Sequence, residues 1–323
     1  MVSPEVSRPA DSDRVLDTIA DTLGDRAQRG APLGERTTYR VGGIAGVLVH
    51  AHGEDDLVAV QHALVASGAA VPLLVLGEGS NLLVADAGFP GLVVRLGVGF
   101  DGVEIGETTV RGGGGAKLPV VARKSAAAGL HGLEWGVGIP GSVGGALRMN
   151  AGGHGSDIAS VLARCRVFDL ITGEGFEARP SSLALGYRTS GVGPAQVVVW
   201  ADFSLQAGDR ARAEQTVAEI VRWRRENQPG GSNAGSVFVN PDGDSAGRLV
   251  ESAGLKGMRL GSAQVSTKHA NFIQADKGGS ADDVWRLVEH VRAEVLRRTG
   301  IDLEPEVRMA GFPPGGPSTS GRG

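Results

Sequence analysis

Glycine placement constrains this chain more than any other feature. Glycine supplies 52 of 323 residues, about 16% against a typical share near 7%. The glycines fall in short clusters between apolar runs, so they read as tight turns and close backbone approaches. Two loops stand out, GEGSN at residues 77–81 and GIPGSVGG at residues 138–145. Successive small residues let backbone N–H groups turn toward an anion, forming a nest suited to a pyrophosphate. For either loop alone, an ordinary tight turn is an equally good account. Taken with RMNAGG just downstream, the two loops predict an extended nucleotide cofactor held mainly by main chain.

A dinucleotide fingerprint is present in letters only. Gly136, Gly138 and Gly141 give G-x-G-x-x-G, yet Pro140 lies inside it and further glycines stand where its helix should begin. No G-x-x-x-x-G-K-[ST] loop occurs, so phosphoryl transfer lacks its usual cradle.

The length favours two domains. A net charge of −4 and an aromatic share of 4% supply neither a phosphate-coating surface nor a base-stacking platform, so no nucleic-acid partner is expected. Cys165 is the single cysteine and predicts a buried strand residue in a reducing compartment. The histidines show no zinc-ligand spacing, and no metal is expected. The first residues lack a signal-peptide core, and no apolar run reaches the roughly 18 residues of a membrane span. A cytoplasmic protein without a membrane partner is expected, with a disordered tail at 311–323.

Periodicity divides the chain. Val15, Leu16, Ile19 and Leu23 share one face of a helix capped by Asp11 or Ser12. A strand at 44–50, a helix at 54–68 and a strand at 71–77 form a βαβ unit. Short strands from Gly91, a helix with Pro119 in its first turn and three strands between 159 and 205 make a second region. A helix over 209–227, a helix over 281–300 bearing Val284, Leu287, Val288, Val291 and Val295, and a strand over 301–309 make a third. The fold class is α+β, with a lead-in at 1–30, a two-part region at 31–206 (31–98 and 99–206) and a smaller domain at 207–310.

Polar candidates for chemistry are Arg188 in LGYRTS, Ser236 in GSNAGSVFVNP and Glu306 in LEPEVR. Singly, each has a plain structural account, as a surface ion pair, a loop hinge or an edge-strand carboxylate. Arg224 sits in a basic helix end that the helix dipole alone would favour, or it meets a substrate phosphate. Lys268 and His269 are polar loop residues or substrate contacts.

Six motifs in order, LGEGSNLLV, GIPGSVGGALRMNAGG, GYRTS, AGSVFVNP, AGLKGMRLGSAQVSTKHANFI and LEPEVR, resemble those of the UDP-N-acetylenolpyruvoylglucosamine reductase family, across roughly residues 31 to 310. The resemblance implies an FAD-binding region of the vanillyl-alcohol-oxidase type in two subdomains, followed by a substrate-binding domain. It implies non-covalent FAD, NADPH as co-substrate, and reduction of an enolpyruvyl ether of a nucleotide sugar to a lactyl ether for peptidoglycan. The cofactor would lie on Gly77, Glu78, Gly79, Ser80 and Asn81; on Gly138, Ile139, Pro140, Gly141, Ser142, Gly144 and Gly145; and on Asn150, Ala151 and Gly152. Arg188 and Glu306 resemble the residues that face the developing enolate, and Ser236 resembles the proton donor. Tyr187, Arg224, Asn240, Lys268 and His269 fall at substrate-binding positions. Another FAD-dependent oxidoreductase on the same scaffold is the alternative.

Two positions depart from the family pattern, Val239 where lysine is common and His154 where tyrosine is frequent. The 47 residues separating Arg188 from Ser236 match the compact branch, which lacks an extra substrate-covering loop. A monomer is expected.

Overall fold

The computed structural model describes residues 10–313. Residues 1–9, and the expected disordered tail beyond residue 313, lie outside the described residues. Among those described, no helix is long and apolar enough to cross a membrane.

The first region holds α1 (Ala10–Leu23), β1 (Ala27–Arg29), β2 (Ala45–Ala51), α2 (Glu54–Ser67), β3 (Leu73–Leu76), β4 (Leu82–Val84) and β5 (Phe89–Leu96). Helix α1 starts before Asp11, so the expected cap is replaced by an earlier start. Its Leu16, Ile19 and Leu23 are buried as expected. Strands run β1-β2-β5-β3, with β5 parallel to both β2 and β3. The predicted βαβ crossover therefore spans one strand position. Strand β5 takes that place because its Leu92, Val93 and Val94 are apolar toward both faces, as an interior parallel strand requires.

The second region contains β6 (Val103–Ile105), β7 (Thr109–Gly113), α3 (Leu118–Ala127), α4 (Val143–Arg148), β8 (Leu162–Asp169), β9 (Gly175–Ala178) and β10 (Gln196–Ser204). Its five strands form an antiparallel sheet ordered β9-β8-β10-β7-β6. One face packs with α3 and α4 in a core built on Leu118, Val121, Leu147 and Phe203. From the other face, Phe168, Val197 and Val199 join the core under α1 and α2, which welds the first two regions together. Cys165 is buried on β8, where desolvation pushes its thiol up to about 11.

Helix α5 (Arg210–Asn227) follows, capped by the Asp209 carboxylate accepting from Ala211 N–H. It buries Ile220 in the second region's core rather than in the third. The third region proper comprises α6 (Ala246–Ser252), β11 (Arg259–Leu260), β12 (Ala263–Val265), β13 (Ile273–Ala275), α7 (Ala281–Thr299) and β14 (Arg308–Ala310). The five apolar positions predicted along α7 are all buried. The expected strand at 301–309 is corrected: only β14 is strand, and it pairs in parallel with β4 of the first region. Pro305 within the segment removes a donor, so before β14 the segment makes only an isolated bridge to Phe238.

A contact between regions caps α7. Asp86 accepts from the Ser280 hydroxyl at 2.5 Å, from Ala281 N–H at 2.9 Å and from Asp282 N–H at 3.2 Å. Substituting Asp86→Ala is expected to cost about 1 kcal/mol by loss of a cap and a favourable dipole charge. A lower urea midpoint at unchanged slope checks it.

Candidate functional site

A cavity of about 1040 Å³ lies where the regions meet, and its wall includes both glycine loops together with Arg188, Ser236 and Glu306. A second hollow of about 850 Å³ beside α1 and β1 brings together none of the expected residues.

The two glycine loops are tied to each other. Ser80 Oγ donates to Pro140 O at 2.7 Å. A Cβ on Gly77 would stand 2.3 Å from Ser142 Oγ, and one on Gly141, at φ 141°, would stand 2.9 Å from Ser80 Oγ. At these positions glycine is required by loop-on-loop packing, and the cradle is the consequence. Glu78 pairs with Lys117 at 3.5 Å.

Arg188 sits in a turn with left-handed backbone, φ 58°. Gly186 and Thr189 exchange backbone hydrogen bonds across it at 3.0 and 3.2 Å. An arginine there is strained, so the turn must be held from outside. Asn150 holds it: its amide nitrogen donates to Gly186 O at 2.8 Å and to Asp157 at 3.1 Å, while its oxygen accepts from Ala159 N–H at 2.9 Å. The guanidinium donates to Gly152 O at 2.9 Å and forms an ion pair with Glu306 at 2.9 Å. Burial pushes the Glu306 carboxyl above the usual range, and nearby Arg188 opposes that without cancelling it.

Ser236 is aimed by the segment after it. The sequence reads as a strand there, but Val237–Val239 forms an extended stretch with a single bridge, Phe238 to Pro305. Its hydrogen bonds come from Asn271 instead: Val237 N–H donates to Asn271 O at 2.8 Å, Phe238 N–H to Asn271 Oδ1 at 2.9 Å, and Asn271 Nδ2 to Phe238 O at 2.8 Å. Glu306 N–H donates to Val237 O at 2.7 Å, which sets Ser236 beside the Arg188–Glu306 pair. Asn81 adds a third strut, donating from its amide to Glu306 O at 3.0 Å. Gly235, at φ 79° with open space where a Cβ would lie, turns the chain into the cavity.

Three further arginines line the cavity. Arg148 donates to Gly193 O at 2.6 Å, and Arg224 donates to Gly138 O. Arg308 keeps a buried Nε without a hydrogen-bond partner. Burial lowers the pKa of Arg148 and Arg224, with Arg308 adding to the effect on Arg148. None of the three has a carboxylate partner among the described residues. Cations held this way are costly unless an anion completes them. The orphaned Arg308 nitrogen, the cavity size and the loop cradle therefore fit a large anionic cofactor such as FAD.

Several expected ligands fall elsewhere. Asn150 is 3% exposed and outside the cavity wall, with both ends of its side-chain amide engaged in support of the turn. Gly144 also lies outside the cavity wall and packs beneath Gly114 O and Val198. Asn240 accepts from Ala246 N–H at the start of α6 at 3.0 Å. Lys268 donates to Arg225 O at 2.7 Å, and His269 Nδ1 accepts from Asn271 N–H. Tyr187 is 61% exposed, with the Arg188 guanidinium 5.0 Å from its ring centroid. None of these four lines the cavity. Arg148 and Arg308 were overlooked inside the quoted motifs ALRMN and EPEVR, where their charge was the available signal. Asn271 carried no signal, because its role depends on a segment 33 residues away.

Asn271→Ala leaves a buried N–H and a buried C=O of Phe238 unpaired, an expected loss of about 2–6 kcal/mol at roughly 1–3 per group. Chemical denaturation checks it; Asn271→Asp, which keeps the acceptor, is expected to lose less.

Residues 45–178 match a family model described as FAD binding domain, and residues 227–310 match the UDP-N-acetylenolpyruvoylglucosamine reductase C-terminal domain. The chain is 43% identical over 297 residues to UDP-N-acetylenolpyruvoylglucosamine reductase 2 of Symbiobacterium thermophilum, covering 90% of this chain and 95% of that one. It is 40% identical over 284 residues to the Rubrobacter xylanophilus reductase, covering 87% and 94%. Among solved structures, UDP-N-acetylenolpyruvylglucosamine reductase from Thermus caldophilus superposes with a TM-score of 0.78 at 36% identity, over 88% of this chain and 99% of that one. A berberine-bridge-enzyme-like protein of Physcomitrella patens, at 12% identity and TM-score 0.53, covers 87% and 88% and shares the fold alone.

Proposed function

The chain belongs to the UDP-N-acetylenolpyruvoylglucosamine reductase family, and on that premise we propose that Arg188, Glu306 and Ser236 carry its reaction. The protein is an FAD-dependent oxidoreductase of peptidoglycan precursor synthesis, reducing UDP-N-acetylglucosamine enolpyruvate with NADPH as co-substrate. The observation that supports the residue assignment best is the Arg188–Glu306 ion pair hydrogen-bonded through backbone to the Ser236 segment, on the wall of one cavity.

Loops 77–81 and 138–142, with Arg308, would hold FAD, which when bound supplies the hydride carrier between NADPH and substrate. Saturation of the terminal enolpyruvyl carbon places negative charge on the neighbouring carbon and its carboxylate. Arg188 meets that charge with a planar, permanently protonated fork, at a site whose orientation is fixed in advance by Asn150 and Gly152. Glu306, with its carboxyl pushed up by burial, carries its proton to higher pH than an ordinary glutamate and donates a hydrogen bond toward the same charge. Ser236 delivers the proton to the carbanion carbon. A serine hydroxyl is a weak acid, so it acts only against so basic an intermediate and only when aimed. Its hydroxyl makes no hydrogen bond to another described residue, which leaves it available. Both loops and all three residues come from one chain, so a monomer suffices, and a cytoplasmic location accords with NADPH and a nucleotide sugar as reactants.

A visible absorption spectrum tests the reading. The FAD-loaded protein is expected to bleach with anaerobic NADPH and to recover its colour on adding the enolpyruvyl substrate. Failure to recover would assign it a different acceptor. Ser236→Ala is expected to leave bleaching intact and to slow recovery by about 10²–10⁴-fold, the usual weight of a positioned acid. Equal slowing of both halves would remove the serine from that role. Arg188→Lys is expected to slow recovery as well, because an ammonium cannot reproduce the fork.

The pH profile follows from the raised Glu306 carboxyl. The protonated form is complete at low pH and is lost as pH rises through the elevated value, so the recovery rate is expected to fall on the alkaline side of that value. Glu306→Gln is expected to be slower and to lack this limb, as read by stopped-flow across pH.

A further inference from the structure

Trp223 is the feature of the cavity that the reaction does not use. It lies near the end of α5, lines the cavity, and is 47% exposed, an unusual state for the largest apolar side chain. Its ring is held rather than loose: His154 meets it edge-on, with centroids 5.0 Å apart and planes at 85°. His154 is itself fixed in a left-handed turn, φ 55°. Its ring stands over Gly138, where a Cβ would come within 3.6 Å of Nε2. The next residue along α5, Arg224, donates to the carbonyl of that same Gly138. An exposed, braced aromatic plane thus stands beside a desolvated arginine that lacks a carboxylate partner among the described residues, with Gln228 on the same wall.

A planar heterocycle joined to a diphosphate satisfies both features, since the base covers the indole face and the phosphates complete the arginine. We infer that Trp223 is a stacking platform for the uracil of the nucleotide-sugar substrate, with His154 as its positioning residue and Arg224 receiving the diphosphate. The inference rests on the functional reading above. Uracil is assigned over the bases of NADPH because the chain runs from α5 through Gln228, Ala234 and Gly235, all on the cavity wall, into Ser236. A ligand anchored at Trp223 thereby extends along this wall toward the proton donor.

The test is isothermal titration of the FAD-loaded protein with UDP and, separately, with NADP⁺, flavin absorbance confirming equal loading. Trp223→Ala and Trp223→Leu are each expected to weaken UDP binding on the order of tenfold, the scale of one base–aromatic stack. Trp223→Phe, which keeps a ring, is expected to weaken it less than either, and NADP⁺ affinity is expected to hold in all three. Unchanged UDP affinity in Trp223→Ala overturns the platform, as does a Leu variant that binds UDP as well as the Phe variant, since bulk would then suffice. Weakened NADP⁺ binding with UDP unaffected overturns the uracil assignment. Absence of UDP binding by the native protein overturns the functional reading and the platform with it, whereas native binding combined with an unaffected Trp223→Ala overturns the platform alone.

Discussion

A seam of short hydrogen bonds joins the separate parts of the molecule at the site of chemistry. Asn81 of the first glycine loop donates to Glu306 O, Glu306 N–H donates to Val237 O, and Val237 N–H donates to Asn271 O. Each bond links residues far apart in the chain, so the seam exists only when the first and third regions are folded against one another. In isolation such bonds contribute about 1 kcal/mol apiece. Their larger effect is geometric: one slip would separate the serine from the Arg188–Glu306 pair.

Around the seam the cavity is electrostatically unbalanced. Arg188 has a carboxylate partner, while Arg148, Arg224 and Arg308 rest on backbone carbonyls or keep an open nitrogen. Glu306 is shifted the other way, toward the neutral acid, because burial outweighs its arginine. A site with surplus arginine charge and a carboxyl shifted toward its neutral form favours anionic ligands before any contact is counted. On the proposed reading, that surplus is what would draw the cofactor, the enolpyruvyl carboxylate and the substrate diphosphate into one cleft.

The strain at the site has a visible source of support. Arg188 adopts a left-handed backbone that an arginine rarely takes, and the neighbouring MNAGG segment restrains it through Asn150 and Gly152. A motif that reads as a cofactor contact is thus also the scaffold of the turn that carries Arg188. The same holds for the glycines of loops 77–81 and 138–145, several of which are fixed by contact with one another.

By itself the sequence determined the amphipathic helices α1 and α7, the βαβ unit, the buried strand of Cys165 and, through six ordered motifs, the family together with the three residues proposed for its reaction. These are local properties, carried by apolar spacing or by residue type within a few positions. Tertiary structure alone decided that β5 enters between β2 and β3, that α5 packs on the second region, that the Asn150 side chain meets Gly186, and that Asn271 stands in for a strand beside Ser236. In each case a hydrogen-bonding or apolar group could be satisfied locally in several ways. Which partner it finds depends on chain brought from tens or hundreds of residues away, and no local pattern encodes that choice.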